Sequence, residues 1–388
     1  DMLGAAKERA AMSQDSDALE LPQRPWHEWV EGESASLETW THDEPIAGEF
    51  ETVQPDGRVL RYPHATLPVD MQAAQVHQVS LRLSYALIGS AAGMLMPPVS
   101  DRWRGAYPGL HVDVLNRALR GATLRRAREV RQVSEPVIVL AHFDMLLHRN
   151  NYYHWVLFLL ARAAWLRSHG HLDDRRLMVP QELPAWAFSS LSLVGVDDSR
   201  LIRYGESETL VLADAWVVSP QEFPSRSLCD PLSETLWQAA GLDPRQPPER
   251  DKLIYITRGE QNRRPLVEET PISEMARAMG FEVVAPERLS LLDQVRLFAR
   301  ARAIVSPPGA ALANLLWTQP ETKLLVIFKE EGAPPTFVDV ALVRGLRYRW
   351  LMGRNLPEFE LSNIVNAPFS VDLALARREL AWAASNED

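Results

Sequence analysis

The feature that most constrains this sequence is an alternation that begins near residue 253. Short apolar runs, each sized for one strand, alternate with helix-length amphipathic stretches as far as residue 351. A strand over 253–257 leads to a helix over 271–279, closed by Gly280, and then to a strand over 281–285. A helix over 290–301 precedes a strand over 303–305, and another helix starts near Gly309. A strand over 323–328, a helix over 335–344 and a strand over 348–351 complete the series. Parallel neighbours cannot be joined by a tight turn and need a crossover, usually a helix. Single helices between single strands therefore predict an α/β fold built on a parallel, doubly wound sheet.

The earlier half repeats the pattern less cleanly. Residues 137–141 read as a buried strand, followed by a polar loop to Asn151 and a helix over 153–168. A strand at 177–179 ends at Pro180, a helix covers 185–195, and short strands follow at 200–203, 209–212 and 215–218. Residues 76–89 form one element whose type the pattern leaves open, and 370–385 read as a final amphipathic helix. Pro244, Pro247 and Pro248 cannot sit inside regular structure, so 241–250 is the expected linker. The 388 residues suit two to three domains. They divide into an arm over 1–60, a first domain over 61–240, a second over 251–369, and a terminal helix over 370–388.

The net charge of −10 is local. Residues 1–60 hold 14 Asp and Glu against 4 Lys and Arg, so the remainder, with 37 of each sign, is neutral. The arm reads as a solvated acidic segment, with Trp26, Trp29, Trp40 and Phe50 expected to dock parts of it on the body. A neutral body argues against nucleic-acid binding, which needs a broad excess of cations. Six arginines (Arg117, Arg120, Arg125, Arg126, Arg128 and Arg131) gather over 112–131. They read as a solvated face, and an anion or membrane-surface site stays open. The one cysteine, Cys229, can form no internal disulfide and points to a reducing compartment. No apolar run is long enough to span a membrane, and the N-terminus lacks the pattern of a secretory signal, although a first residue other than Met points to trimming.

In an open parallel sheet, ligands sit at the carboxyl ends of the strands. That rule selects three stretches. After Val305, Ser306-Pro307-Pro308-Gly309-Ala310-Ala311 turns into a helix, with small residues that let an anion approach free backbone N–H groups. The alternative is close packing of helix on sheet. The stretch lacks the glycine spacing of a dinucleotide fingerprint or a phosphate-binding loop. After Thr257 come Arg258, Arg263 and Arg264, whose forked guanidinium groups suit a diphosphate, or else surface ion pairs. Between 142 and 154 lie His142, Asp144, His148 and His154. Their spacing matches no metal motif, and an acid/base role fits better. His154 falls in a first helical turn, where the dipole favours the neutral, basic imidazole. Asp15-Ser16-Asp17 has a metal-holding spacing but no strand before it and is discounted.

Several stretches occur in a fixed order: Asn151-Tyr152-Tyr153-His154-Trp155-Val156-Leu157, then 253–257 with Arg258 and Arg263-Arg264, then Gly280-Phe281-Glu282-Val283-Val284 with Pro286-Glu287, and Gly309 to Asn314. Together they resemble the family 61 glycosyltransferases, over roughly 135–330 and most densely over 253–328. The resemblance implies the GT-B arrangement of two Rossmann-like domains facing across a cleft. It also implies metal-independent transfer of a sugar, with inversion, from a nucleotide donor to a glycan hydroxyl. No cofactor is implied beyond that donor, a UDP-sugar or another nucleoside-diphosphate sugar. Bacterial relatives serve capsule, exopolysaccharide or lipopolysaccharide synthesis, which implies a cytoplasmic setting at the inner membrane surface; peripheral membrane association and a homo-oligomer stay open.

On this reading His154 or Asp144 is the base. Arg258, Arg263, Arg264, Glu287, Ser306, Gly309, Ala310 and Asn314 form the donor side. Three positions depart from the family pattern: Phe158 and Pro308 stand where relatives have Glu and His, and Val326 where the strand usually carries Glu. They motivate a second reading, a relative without chemistry that holds a glycan or a partner as a scaffold.

Overall fold

The computed structural model describes residues 18–19, 23–24, 26–84, 87–90, 93–95, 124–125, 129–140, 151–205, 208–219, 223–258, 265–329, 335–356 and 367–386. Helix α1 (Trp26–Glu33) precedes strands β1 (Ser36–Asp43), β2 (Ala47–Val53), β3 (Val59–Ala65) and the long β4 (Val69–Ser84). Strands β5 (Glu129–Val133) and β6 (Val137–Leu140) lead to helix α2, which runs as Tyr152–His154, a π-helical Trp155–Leu160 and Ala161–Ser168. Then come β7 (Arg176–Pro180), α3 (Ala185–Leu193), β8 (Leu201–Tyr204), β9 (Glu208–Val218) and α4 (Arg226–Ala239). The last part runs β10 (Lys252–Ile256), α5 (Glu269–Ala278), β11 (Glu282–Val284), α6 (Leu291–Ala299) and β12 (Ala301–Ser306). A 3-10 helix (Ala310–Trp317), β13 (Lys323–Lys329), α7 (Pro335–Arg344), β14 (Arg347–Asn355) and α8 (Leu373–Ala384) close the chain.

The chain forms two compact units. Among the described residues, the first takes those up to His42, those within Val69–Ser100 and those within His111–Glu222. The second takes Asp43–Pro68 and everything from Phe223.

The second unit is built on a sheet of order β11-β10-β12-β13-β14-β2-β3, parallel except at the β2–β3 hairpin. Its central strand β13 is buried at all seven positions. That burial explains why Leu324-Leu325-Val326-Ile327-Phe328 is a continuous apolar run and not an alternating one, since helices cover both faces of a parallel sheet. In chain order from β10, the five parallel strands stand second, first, third, fourth, fifth. The order reverses between β10 and β12, and the carboxyl ends of those two strands define the switch point of the sheet.

The first unit has the order β8-β7-β6-β9-β4, with β6 to β9 parallel and β4 antiparallel to β9. Its own order reverses between β6 and β9. The expected strands at 209–212 and 215–218 are one, β9, which pairs along its length with β5 and then β6. The undecided segment at 76–89 is strand, with β4 running to Ser84 and a further strand over Leu87–Ser90. No described helix is long and apolar enough to cross a membrane.

The arm and linker readings need correction. Residues 36–65 are strands of both sheets, and Glu51 of β2 stands in register with Arg349 of β14. Acidity misled here because a key acid is paired: Arg349 and Arg61 both donate to Glu51, and Arg349 also reaches the buried Glu379 of α8. Although burial works the other way, the two arginines hold the Glu51 carboxyl below its ordinary value. The tryptophans dock as expected. Trp29 is fully buried in the first unit's core, and Trp40 stacks on His171 at 4.2 Å between centroids. The proline-rich 241–250 segment lies wholly inside the second unit, tied down where Gln319 donates to the Pro248 carbonyl and Arg250 to that of Pro320. Nor does 370–388 stand apart: Lys323 donates to the Trp382 and Ser385 carbonyls and so anchors the end of α8.

Replacing a fully buried aromatic leaves a cavity that costs about 3–5 kcal/mol. Trp29→Ala is therefore expected to lower unfolding stability by that amount in chemical denaturation, whereas a solvated arm would leave the midpoint unchanged.

Candidate functional site

Register sets the geometry of the second unit's switch point. Tyr255 of β10 pairs with Val305 of β12, so Arg258 and Pro308, each three residues further along, emerge at one level. Arg258 bridges the gap between them, with its Nη1 donating to the Pro308 carbonyl. A Cβ built on Gly309 would come within 3.1 Å of that Nη1, so glycine is the residue that lets the guanidinium lie against the turn. Its φ of −168° is ordinary extended backbone, and close approach, not strain, is the reason for glycine.

The helix that follows is 3-10, Ala310–Trp317. Gly309, Ala310 and Ala311 are half-exposed while 312–318 are buried, so the helix offers its small-residue start to solvent and its apolar remainder to the core. The first N–H groups of any helix lack partners within it. A guanidinium beside a helix start, whose first amides the helix itself does not satisfy, with no intervening side chain, makes a place for an anion.

Below Arg258 lies a carboxylate that the sequence did not point to. Glu269, the first residue of α5, accepts from the Thr257 hydroxyl at 3.0 Å and from the Arg258 N–H at 3.4 Å. Burial pushes the Glu269 carboxyl up, against the opposing pull of these donors and the Arg258 charge. Burial, with that neighbouring carboxylate, likewise holds the Tyr255 phenol well above its ordinary value. Glu269 escaped notice because it sits twelve residues beyond Thr257 and no motif joins them.

The other expected donor residues fall in different places. Ser306 is buried at the end of β12 and donates to the Pro307 carbonyl, bracing the turn from beneath. Asn314 is fully buried; its amide donates to Gln294 and to the Ala311 carbonyl, and its oxygen accepts from Trp317. It fastens the 3-10 helix to α6. Glu287 is exposed on the turn after β11. Arg263, Arg264, Asp144, His142, His148 and Asp15-Ser16-Asp17 lie outside the described residues, as does most of the arginine cluster at 112–131.

In the first unit, His154 lies in the first turn of α2, the helix that follows β6. Asn151 caps it, its side-chain oxygen accepting from the N–H groups of Tyr153 and His154. The His154 ring is half-buried, 5.7 Å from the Tyr153 and Phe158 rings between centroids. Directly after it the helix widens into the π segment Trp155–Leu160, all six residues buried. A π segment is a frequent mark of functional helices. Arg162, fully buried, joins that segment to the end of β9, donating to the carbonyls of Phe158 and Ser219 at 2.7 Å each. Burial pushes its guanidinium down to about 9, which leaves it charged at neutral pH. Among the described residues no group of three His, Cys, Asp or Glu could hold a metal ion.

Comparison with known proteins bears on these residues. Residues 152–325 match the family model Glycosyltransferase 61. The match supports a family 61 glycosyltransferase. It begins two residues before His154, takes in Arg258 and Gly309, and ends within β13. The mixed α/β chain with two parallel-rich sheets fits an α/β glycosyltransferase. No curated protein matches the chain.

The raised Glu269 carboxyl gives a pH prediction. The folded state binds the extra proton, so stability falls as pH rises from the ordinary Glu value through the raised one, and is level above it. Glu269→Gln keeps an acceptor for Thr257 and removes this loss. Thermal unfolding followed between pH 4 and 8 is expected to show a smaller decline for the variant; an unchanged decline would mean that Glu269 is not the titrating group.

Proposed function

We propose that this chain is an inverting, metal-independent glycosyltransferase of the GT-B type, moving a sugar from a nucleoside-diphosphate donor to a glycan hydroxyl. The observation that carries the reading is the Arg258 guanidinium laid on the Pro308–Gly309 turn at the switch point of the second unit. Displacement at an anomeric carbon releases a diphosphate whose charge must be met as it develops. A guanidinium and helix-start amides fixed beforehand meet it without reorganisation. The family match over 152–325 independently favours sugar transfer.

His154 is the group assigned to the acceptor. An imidazole can take the proton of the attacking hydroxyl in step with bond formation, a contribution of about 10²- to 10⁴-fold. Its ring is held by the Asn151-capped helix start and by the Tyr153 and Phe158 rings. The donor is a UDP-sugar or another nucleoside-diphosphate sugar and the acceptor a bacterial surface polysaccharide, made on the cytoplasmic side of the inner membrane. Asp144, Arg263 and Arg264 join the proposal on their sequence position alone.

A second reading keeps the fold without the chemistry. Phe158, Pro308 and Val326, the three departures from the family pattern, are all buried, so none offers a polar atom at the surface. A scaffold that holds a glycan or a partner would tolerate that.

The deciding assay is release of nucleoside diphosphate from a panel of sugar nucleotides with glycan acceptors. His154→Ala is expected to lower turnover about 10²-fold or more with donor affinity kept. Arg258→Ala is expected to weaken nucleoside-diphosphate binding in calorimetry about tenfold or more. Release no greater than that of the His154→Ala, Arg258→Ala double variant, with no diphosphate binding, would abandon the transferase in favour of the scaffold.

A further inference from the structure

The buried Arg162 calls for a reason to exist. A fully buried guanidinium is costly unless its hydrogen bonds are well placed. Its placement is specific: Nε donates to the Phe158 carbonyl and Nη1 to the Ser219 carbonyl, both at 2.7 Å. Phe158 lies inside the π segment, and Ser219 lies at the carboxyl end of β9, beside the first unit's switch point. The guanidinium therefore ties the irregular turn of α2 to the rigid sheet.

That turn decides where His154 points. The Ala161 N–H reaches back five residues to the Val156 carbonyl, the π pattern, so the helix carries one residue more than a regular turn would. An α-helix turns by about 100° per residue. If the extra residue relaxed away, everything before it, His154 included, would rotate by about that angle relative to Ala161–Ser168. A π turn is less favourable than α-helix and persists only where its surroundings fix it. Two buried bonds fix this one: Arg162 on the Phe158 carbonyl, and Trp155 Nε1 on the Ser190 hydroxyl at 2.8 Å.

From this geometry we infer that Arg162 is a positioning residue: it locks the π turn that aims His154, and so acts on the proposed reaction through His154 without touching either substrate. The inference rests on the proposed role of His154, yet it has a readout that needs no substrate.

That readout is the His154 imidazole titration, followed by NMR in the full chain with ¹⁵N-labelled histidine. Arg162→Lys keeps the charge and loses the fork. It is expected to change the His154 titration curve and its ring shifts. Leu212→Ala, which opens a cavity in a first-unit core cluster that includes no residue of α2, is expected to leave His154 where it was. In activity, Arg162→Lys is expected to lower kcat about 10- to 100-fold, with the donor KM within about twofold.

If the Arg162 variants do not fold, the wild-type chain still answers. The Arg162 Nε–H resonance is expected to shift with an inflection at the His154 pKa. A folded Arg162→Lys whose His154 titrates as in the wild type overturns the inference, and so does a wild-type Arg162 signal flat through that titration. Should no sugar transfer be found while Arg162→Lys still moves His154, the proposed function fails and the positioning stands.

Discussion

A guanidinium resting on a backbone carbonyl, Arg258 on Pro308, is the contact on which the rest depends. It exists because two parallel strands end level and because the chain leaves the sheet in opposite directions after them. Such a reversal opens a crevice that no helix fills. Gly309 leaves room in that crevice for the Arg258 guanidinium, and the 3-10 helix beyond it starts at half-exposed small residues. Ser306, Thr257 and Glu269 each hold part of this arrangement by one or two hydrogen bonds, and Asn314 fixes the helix from the core. The site thus rests on short-range geometry, which is why a chain with a neutral body can still gather positive potential at one point.

The two units use the same device with different contents. Each sheet reverses its order once, and each has an arginine near the reversal. Arg258 is half-exposed and lies against a turn of small residues, which suits a group that receives an anion. Arg162 is fully buried and bonded to two carbonyls, which suits a structural bolt. The same side chain thus serves ligand or scaffold according to whether water reaches it.

Much of this was legible in the residues. The helices and strands after 252 follow the apolar alternation closely, and helix α7 matches its expected span at both ends, because each run is bounded by Gly, Pro or charge. The strand-end rule brings Arg258 and Gly309 to the same edge of the sheet, because each follows directly on a strand. The first sixty residues were misread because composition reports charge and not partners: Glu51 looks solvated until Arg349, almost three hundred positions away, stands opposite it. The π turn was invisible because it has no sequence signature, and Arg162 looked like one more arginine on a helix. Asn314 read as a ligand contact from its place in a family pattern, whereas its bonds to Gln294, Ala311 and Trp317 tie the 3-10 helix to the core.

On the proposed function, a diphosphate is received between the ends of β10 and β12. Hydrogen exchange measured by mass spectrometry, with and without saturating nucleoside diphosphate, tests it most directly. Slowed exchange confined chiefly to peptides holding 255–258 and 307–312 is the predicted result. Binding that leaves both segments unprotected, or protects only residues of the first unit, would contradict it.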